Sequence, residues 1–213
     1  MMEPQKQFYQ NLSQKVIKGL EKRNFNGYYC ETAEAAVEKA MAMLEDGASA
    51  AWGGSETLKQ TGLIERLKQA DNLQVIDRDA AQTPEEKRQI YFKCSAADYY
   101  FMSSNAITQD GELVNVDGMG NRVACLIYGP ANIIILAGMN KIVPDVRSGI
   151  ERVRYTAAPP NANRLGLKTP CASAGYCMDC HVPDCICSDI VITRRSKEKG
   201  RIKVILIGED SGY

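Results

Sequence analysis

Phe8, Leu12, Val16 and Leu20 recur every four residues between Glu3 and Arg23, the stripe of an amphipathic helix. A short strand is expected at Tyr28–Cys30. Thr32 then caps a helix carrying Ala36, Val37, Ala40, Met41 and Leu44, which ends near Gly47. Ser49–Trp52 reads as an apolar strand broken by Gly53-Gly54-Ser55. A helix follows from Ser55 to about Ala70, with a bend at Gly62. Leu73–Asp77 is the next strand. Thr83 and Glu86 form a capping box with Pro84 at the first helical position, and that helix runs to about Cys94.

Asp98–Ser103 is an aromatic-rich strand, and Ala106–Thr108 with Glu112–Val116 predicts a hairpin around Gln109-Asp110-Gly111. Asn121–Tyr128 fits either a short helix or a strand. Asn132–Ala137, with Ile-Ile-Ile-Leu, has the composition of a fully buried strand. Pro144 opens a helix with Val146, Ile150 and Val153 on one side, and Pro159-Pro160 marks a break before a short helix. Two strands close the chain, Asp189–Arg194 and Arg201–Ile207. The turn Ser196–Gly200 between them predicts a C-terminal β-hairpin. Strands alternating with helices give an α/β fold with a mostly parallel sheet, one domain over residues 1–213.

Between the last helix and the last strands the pattern lapses. Residues 168–188 form a Gly- and Pro-containing insertion without periodicity, holding Cys171, Cys177, Cys180, Cys185, Cys187 and the only histidine, His181. The Cys-x2-Cys core, Cys177 and Cys180, can place two sulfurs on one ion. Zinc takes four N/S ligands and an iron–sulfur cluster four thiolates, so either metal suits the set. A redox-reactive loop and simply packed thiols are the alternatives. Cys30, Cys94 and Cys125 stand in apolar segments and read as small core residues.

Charge narrows the partners. The 26 basic and 26 acidic residues cancel, which argues against nucleic-acid binding. Arg194, Arg195, Lys197, Lys199, Arg201 and Lys203 read as the solvated tip of the predicted hairpin. Met1–Lys22 is polar and lacks the apolar core of about 7–15 residues found in a secretory signal. No apolar run reaches the roughly 18 residues of a membrane span. A cytoplasmic address is expected, where disulfides are disfavoured; a homo-oligomer stays open.

Three polar, glycine-containing loops fall after predicted strands, where α/β sheets bind ligands. In Gly53-Gly54-Ser55-Glu56-Thr57, backbone N–H groups and two hydroxyls suit a phosphate or carboxylate, although Ser55 equally suits an ordinary helix cap. In Asn115–Arg122, Asp117 is a candidate acid or base. Gly118, Asn121 and Arg122 are candidate anion contacts, with an ordinary Asp–Arg surface turn as the alternative. In Gly138-Met139-Asn140-Lys141, Asn140 is a further contact and Lys141 offers a cation, or an amine if desolvated. A small anionic ligand shared by the three loops is the expectation. The sequence holds no dinucleotide fingerprint and no phosphate-binding Walker loop, and its single histidine leaves no Ser-His-Asp arrangement near these loops.

Gly-Gly-Ser-x-Thr-Leu, Asn-Ala-Ile-Thr-x-Asp-Gly, Val-Asp-Gly-x-Gly-Asn-Arg-Val-Ala and Ala-Gly-x-Asn-Lys-Ile, in that order, resemble the lactate-utilisation (LUD) domain family from about Phe8 to Gly208. The cysteine segment resembles that of a short subgroup. The resemblance implies a Rossmann-like parallel core similar to the sugar-phosphate isomerase and coenzyme A transferase superfamily. In isomerase relatives the loop matching Gly53, Gly54, Ser55 and Thr57 cradles a phosphate, but their catalytic acid pair has no clear counterpart here. The family implies oxidation of lactate or a related organic acid with iron–sulfur oxidoreductase partners. The competing expectations are a non-catalytic domain whose cysteines form a zinc or partner-docking module, and a sugar-phosphate or acyl-transferring enzyme.

Overall fold

The apolar runs become strands covered on both faces. The computed structural model describes residues 3–213; Met1 and Met2, the start of the expected domain, lie outside the described residues. The strands are β1 (Asn26–Cys30), β2 (Ser49–Trp52), β3 (Gln74–Ile76), β4 (Tyr99–Met102), β5 (Ala106–Thr108), β6 (Leu113–Asp117), β7 (Asn132–Gly138), β8 (Ile142–Val143), β9 (Asp189–Thr193) and β10 (Ile202–Ile207). Six of them form a parallel sheet in the order β1-β10-β7-β4-β2-β3. The fold is therefore α/β, with a parallel six-stranded sheet flanked by helices.

Alternation within these strands divides the core in two. Ala51, Tyr100, Met102, Ile133, Ile135, Val204 and Leu206 face one side. There they meet Val16 and Leu20 of α1 (Pro4–Lys22), Cys94 of α5 (Pro84–Ser95) and Cys125 and Leu126 of α6 (Asn121–Ile127). Ala50, Trp52, Tyr99, Phe101, Ile134, Leu136, Ile205 and Ile207 face the other. They pack on α2 (Ala33–Met41), α3 (Glu56–Gln60) and α4 (Leu63–Lys68). Both faces of the inner strands β2, β4, β7 and β10 are dry, as a parallel sheet between helix layers requires; the edge strands β1 and β3 are half-buried or more exposed. Asn121–Tyr128, open in the sequence, is largely helical. The capping box of Thr83 and Glu86 is present, and the bend at Gly62 separates α3 from α4.

A smaller sheet, in the order β8-β5-β6-β9, stands beside the first. The expected hairpin of β5 and β6 is antiparallel as predicted, and α7 (Val146–Arg152) packs its Val146 and Ile150 against Ala106 and Val114.

The expected C-terminal hairpin does not form. β9 pairs antiparallel with β6 in the small sheet, whereas β10 enters the large sheet between β1 and β7. Residues 194–201 cross between the two sheets, so the basic stretch is no hairpin tip; Arg194, Arg195, Lys197 and Lys199 are solvated as expected, whereas Arg201 and Lys203 are half-buried. Arg201 donates to the carbonyls of Cys125, Leu126 and Pro130 at the end of α6, and Lys203 donates to Asn132 Oδ1 and Gly200 O. The expected break at Pro159-Pro160 is also absent. A π-helical turn, Val153–Ala157, joins α7 to α8 (Ala158–Arg164). The prolines occupy the first turn of α8, where a missing N–H costs least. After α9 (Pro170–Ala174), residues 175–188 form no helix or strand.

Candidate functional site

Parallel strands deliver their following loops to one edge of the sheet, and here those loops enclose a cleft of about 330 Å³. Arg78 arrives after β3, Gly54, Ser55 and Thr57 after β2, Ser103–Asn105 after β4, and Lys141 after β7. Asp117, Gly118, Asn121 and Arg122 come from the far side, after β6 of the small sheet. The three loops singled out in the sequence thus converge. Two of the candidate contacts do not line the cleft. Gly53 lies beneath it, and Asn140 ties down the chain's last residues by donating to Gly212 O and accepting from Ser211 N.

Gly53 is fixed by close approach. A Cβ there would stand 2.7 Å from Tyr100 Oη and 3.0 Å from Arg122 Cγ. Ser55 does cap α3, accepting from Leu58 N, so the ordinary reading of that residue holds. Gly118 serves the neighbouring segment, since a Cβ would stand 3.2 Å from Ile186 Cα.

Arg122 and Lys141 carry like charge and do different things. Four N–H groups of Arg122 reach Ser103 O, Asn115 Oδ1, Asn105 Oδ1 and Val116 O at 2.6–3.1 Å, and its Nε lies 3.5 Å from Asp117 Oδ2. A guanidinium has five donors, so the protein occupies four and turns the fifth to a carboxylate. Arg122 stitches β4 to β6 and brings positive charge to the cleft floor. Burial pulls it below its ordinary arginine value, while Asp117 acts in the opposite sense.

Lys141 is 4% exposed. Its Nζ donates to Thr57 Oγ1 at 2.8 Å and Ser103 Oγ at 3.2 Å. Among the described residues no carboxylate lies within ion-pair distance of it. Burial first, then the positive charges of Arg152 and Arg122, lower its pKa to about 7. Asp117 Oδ2 is the complementary feature: it is buried and accepts no hydrogen bond, while Oδ1 accepts from Met119 N. Asn115 Nδ2, a buried donor, is likewise unpartnered.

The sequence reading missed Arg78, Asn105, Asn161 and Arg164. Arg78 lies in the short helical turn after β3 and Arg164 at the end of α8, and no motif in the sequence marks either. Arg164 pairs with Glu56 at 3.0 Å. Four cations therefore line the cleft with two carboxylates, Glu56 and Asp117, and each carboxylate already has an arginine partner. The balance favours an anion.

A second cavity of about 70 Å³ adjoins the cleft. Cys171, Cys177, Cys180, Cys185 and Cys187 all line it, together with His181. Ile186 and Cys187 line both cavities. Burial and the surrounding sulfurs push the Cys187 thiol up to about 12. All eight cysteines are free thiols; Cys94 and Cys125 are buried as expected, and Cys30 is half-buried. Among the described residues, no three Cys, His, Asp or Glu side chains stand ready to share one ion. No helix among them is long and apolar enough to cross a membrane.

The chain resembles known proteins in fold more than in sequence. No match was found among curated proteins. A DUF162 family protein from Deinococcus radiodurans superposes with a TM-score of 0.53 at 12% identity, over 93% of this chain and 98% of that one. Two other solved structures overlap in part. eIF2B delta from Chaetomium thermophilum gives a TM-score of 0.36 at 16% identity, over 68% of this chain and 55% of that one. A D-ribose-5-phosphate isomerase in complex with phospho-erythronic acid gives 0.34 at 16%, over 52% and 53%. The LUD domain family model matches residues 13–207, nearly the full length that builds both sheets and the cleft. On that match the chain belongs to the LUD domain family.

Proposed function

We propose that the cleft binds a small hydroxy acid of the lactate type, and that the protein serves organic-acid oxidation alongside iron–sulfur partner subunits. Membership of the LUD domain family supplies the metabolic context. The observation that carries the ligand class is a pair of unmet polar groups in one cleft. Lys141 is a buried cation that meets only hydroxyls, and Asp117 Oδ2, with Arg122 Nε at 3.5 Å, accepts no hydrogen bond. A buried group left unpaired costs free energy until something pairs it. A ligand with a carboxylate at one end and a hydroxyl beside it answers both at once. The carboxylate meets Lys141, with Arg78 at the rim, and the hydroxyl donates to Asp117. The cleft volume sits at the small end of ligand pockets, suiting a metabolite rather than a polymer.

Oxidising a hydroxy acid to an oxo acid releases two electrons and two protons. On this reading the chain holds and orients the acid, Asp117 accepts the hydroxyl's hydrogen bond, and partner subunits take the electrons. Arg122 keeps the loops in place, so Lys141 is the cleaner position to test.

Calorimetric titration with L-lactate, D-lactate, pyruvate, propionate and inorganic phosphate provides the test. We expect a lactate to bind more tightly than propionate, which lacks the hydroxyl. Lys141→Met should abolish binding, and Asp117→Ala should erase the preference for the hydroxyl. Equal affinity for lactate in the Lys141→Met protein, or no lactate binding at all, would sink the reading. Phosphate as the tightest ligand would transfer the site to phosphorylated metabolites.

A further inference from the structure

The irregular segment between α9 and β9 gathers the five clustered cysteines around the second cavity, which has no part in the reading above. Two of its sulfurs already have hydrogen-bonding partners. Asp179 N donates to Cys177 Sγ at 3.4 Å. Thr169 Oγ1 lies 3.2 Å from Cys171 Sγ. Amide N–H groups aimed at sulfur stabilise the deprotonated, ligating form, and such contacts orient thiolates around metals. Asp179 holds its turn at φ +49°, a left-handed conformation that non-glycine residues seldom adopt.

The segment is pinned from outside. Arg154 donates to Asp179, Lys168 N to Asp184 Oδ2, and Ser188 N to Asp117 O. Between those pins residues 175–188 have no helix or strand of their own. Stretches of this length in compact domains are functional or need an organising element. A thiophilic ion supplies one. As they stand the sulfurs do not yet share a single centre, so binding would draw the loop inward and its free energy would go into ordering it.

We infer that Cys171, Cys177, Cys180 and Cys185 form a four-thiolate metal site, and that Cys187, which borders both cavities, is the partition between that metal and the anion cleft. Two chemistries fit four thiolates. Zinc would make the site a latch on the loop. An iron–sulfur cluster would place a one-electron carrier behind the cleft wall. The inference does not depend on what occupies the cleft, because the four ligands line only the second cavity.

The full chain, purified without oxygen, is assayed for zinc, iron and acid-labile sulfide before and after reconstitution with zinc alone or with iron and sulfide. One zinc or one cluster per chain is expected. It should be lost from the Cys177→Ser/Cys180→Ser double variant and kept by Cys187→Ser and by the control Cys30→Ser. Circular dichroism establishes that the double variant is folded. If it is not, cobalt titration of the wild-type chain replaces it, and a tetrahedral thiolate spectrum is expected. A chain that stays metal-free in every reconstitution, a folded double variant that keeps its metal, or loss of metal on Cys187→Ser overturns the assignment. Lactate binding by a metal-free chain would leave the hydroxy-acid reading standing while this one fell.

Discussion

Lys141 illustrates how one side chain couples stability, pH and binding. In the unfolded chain a lysine holds its proton to about pH 10.4, whereas here burial and two arginines bring the value to about 7. Between those limits the unfolded chain binds more protons than the folded one, so stability must rise with pH. Below pH 7 both states are protonated, and the folded state carries the full cost of a buried charge. Urea unfolding at pH 6 and pH 9 should therefore show a gain with pH of about 2–3 kcal/mol at most, and Lys141→Met should remove most of it. Anion binding runs the other way, because the ligand needs the proton. Affinity should be highest below pH 7 and fall about tenfold per pH unit above it. A lactate titration that is flat from pH 6 to pH 8.5 would contradict the role given to Lys141.

At the scale of elements, the glycine loop shows two neighbours with different constraints. Gly53→Ala forces a Cβ against Tyr100 Oη and Arg122, so a loss of about 1–3 kcal/mol is expected. Tyr100→Phe in that background should recover part of it, since the clashing atom is the phenol oxygen. Gly54 has Arg78 Nη1 as its nearest neighbour, at an ordinary 3.5 Å. Gly54→Ala should leave the melting temperature nearly unchanged and affect only binding. The same scale explains what the sequence disclosed. Helices with a clear stripe, the capping box and the Ile-Ile-Ile-Leu strand were legible because local chemistry decides them. The pairing of β9 and β10 was not, because a polar turn between two strands says nothing about their partners. A usable signal was present nonetheless. β10 runs Val-Ile-Leu-Ile, buried on both faces, whereas β9 alternates exposed Ile190 and Ile192 with half-buried Val191 and Thr193. Two strands with such different patterns suit different sheets. The three loops of the cleft were legible as candidates, yet Arg78 and Arg164 were not, since the placing of β3 and of α8 depends on tertiary packing that no local pattern discloses.

Taken whole, the molecule is closed by its final strand. Among the described residues β10 is the only partner of β1, and it also flanks β7, so it joins the edge of the large sheet to its centre. The crossing at residues 194–201 ties that strand to the small sheet, and Arg201 fastens it to the end of α6. A chain ending at Gly200 keeps nine of the ten described strands but leaves β1 unpaired and β7 open on one side. It should show helical far-ultraviolet dichroism without cooperative urea unfolding. A sharp, reversible transition in that fragment would mean that β10 adds to a fold already formed without it.

The pairing of Asn26 with Lys203 also has a consequence for how the protein is made. Synthesis proceeds from the amino end, so β1 and the helix before it emerge before the strand they join. Their partner lies 177 residues further along the chain, since Asn26 pairs with Lys203. Contacts so distant in sequence slow folding and prolong the exposure of apolar surface. The newborn chain must therefore keep its first strand from pairing with other chains until the last one appears, a task suited to a general chaperone at the ribosomal exit.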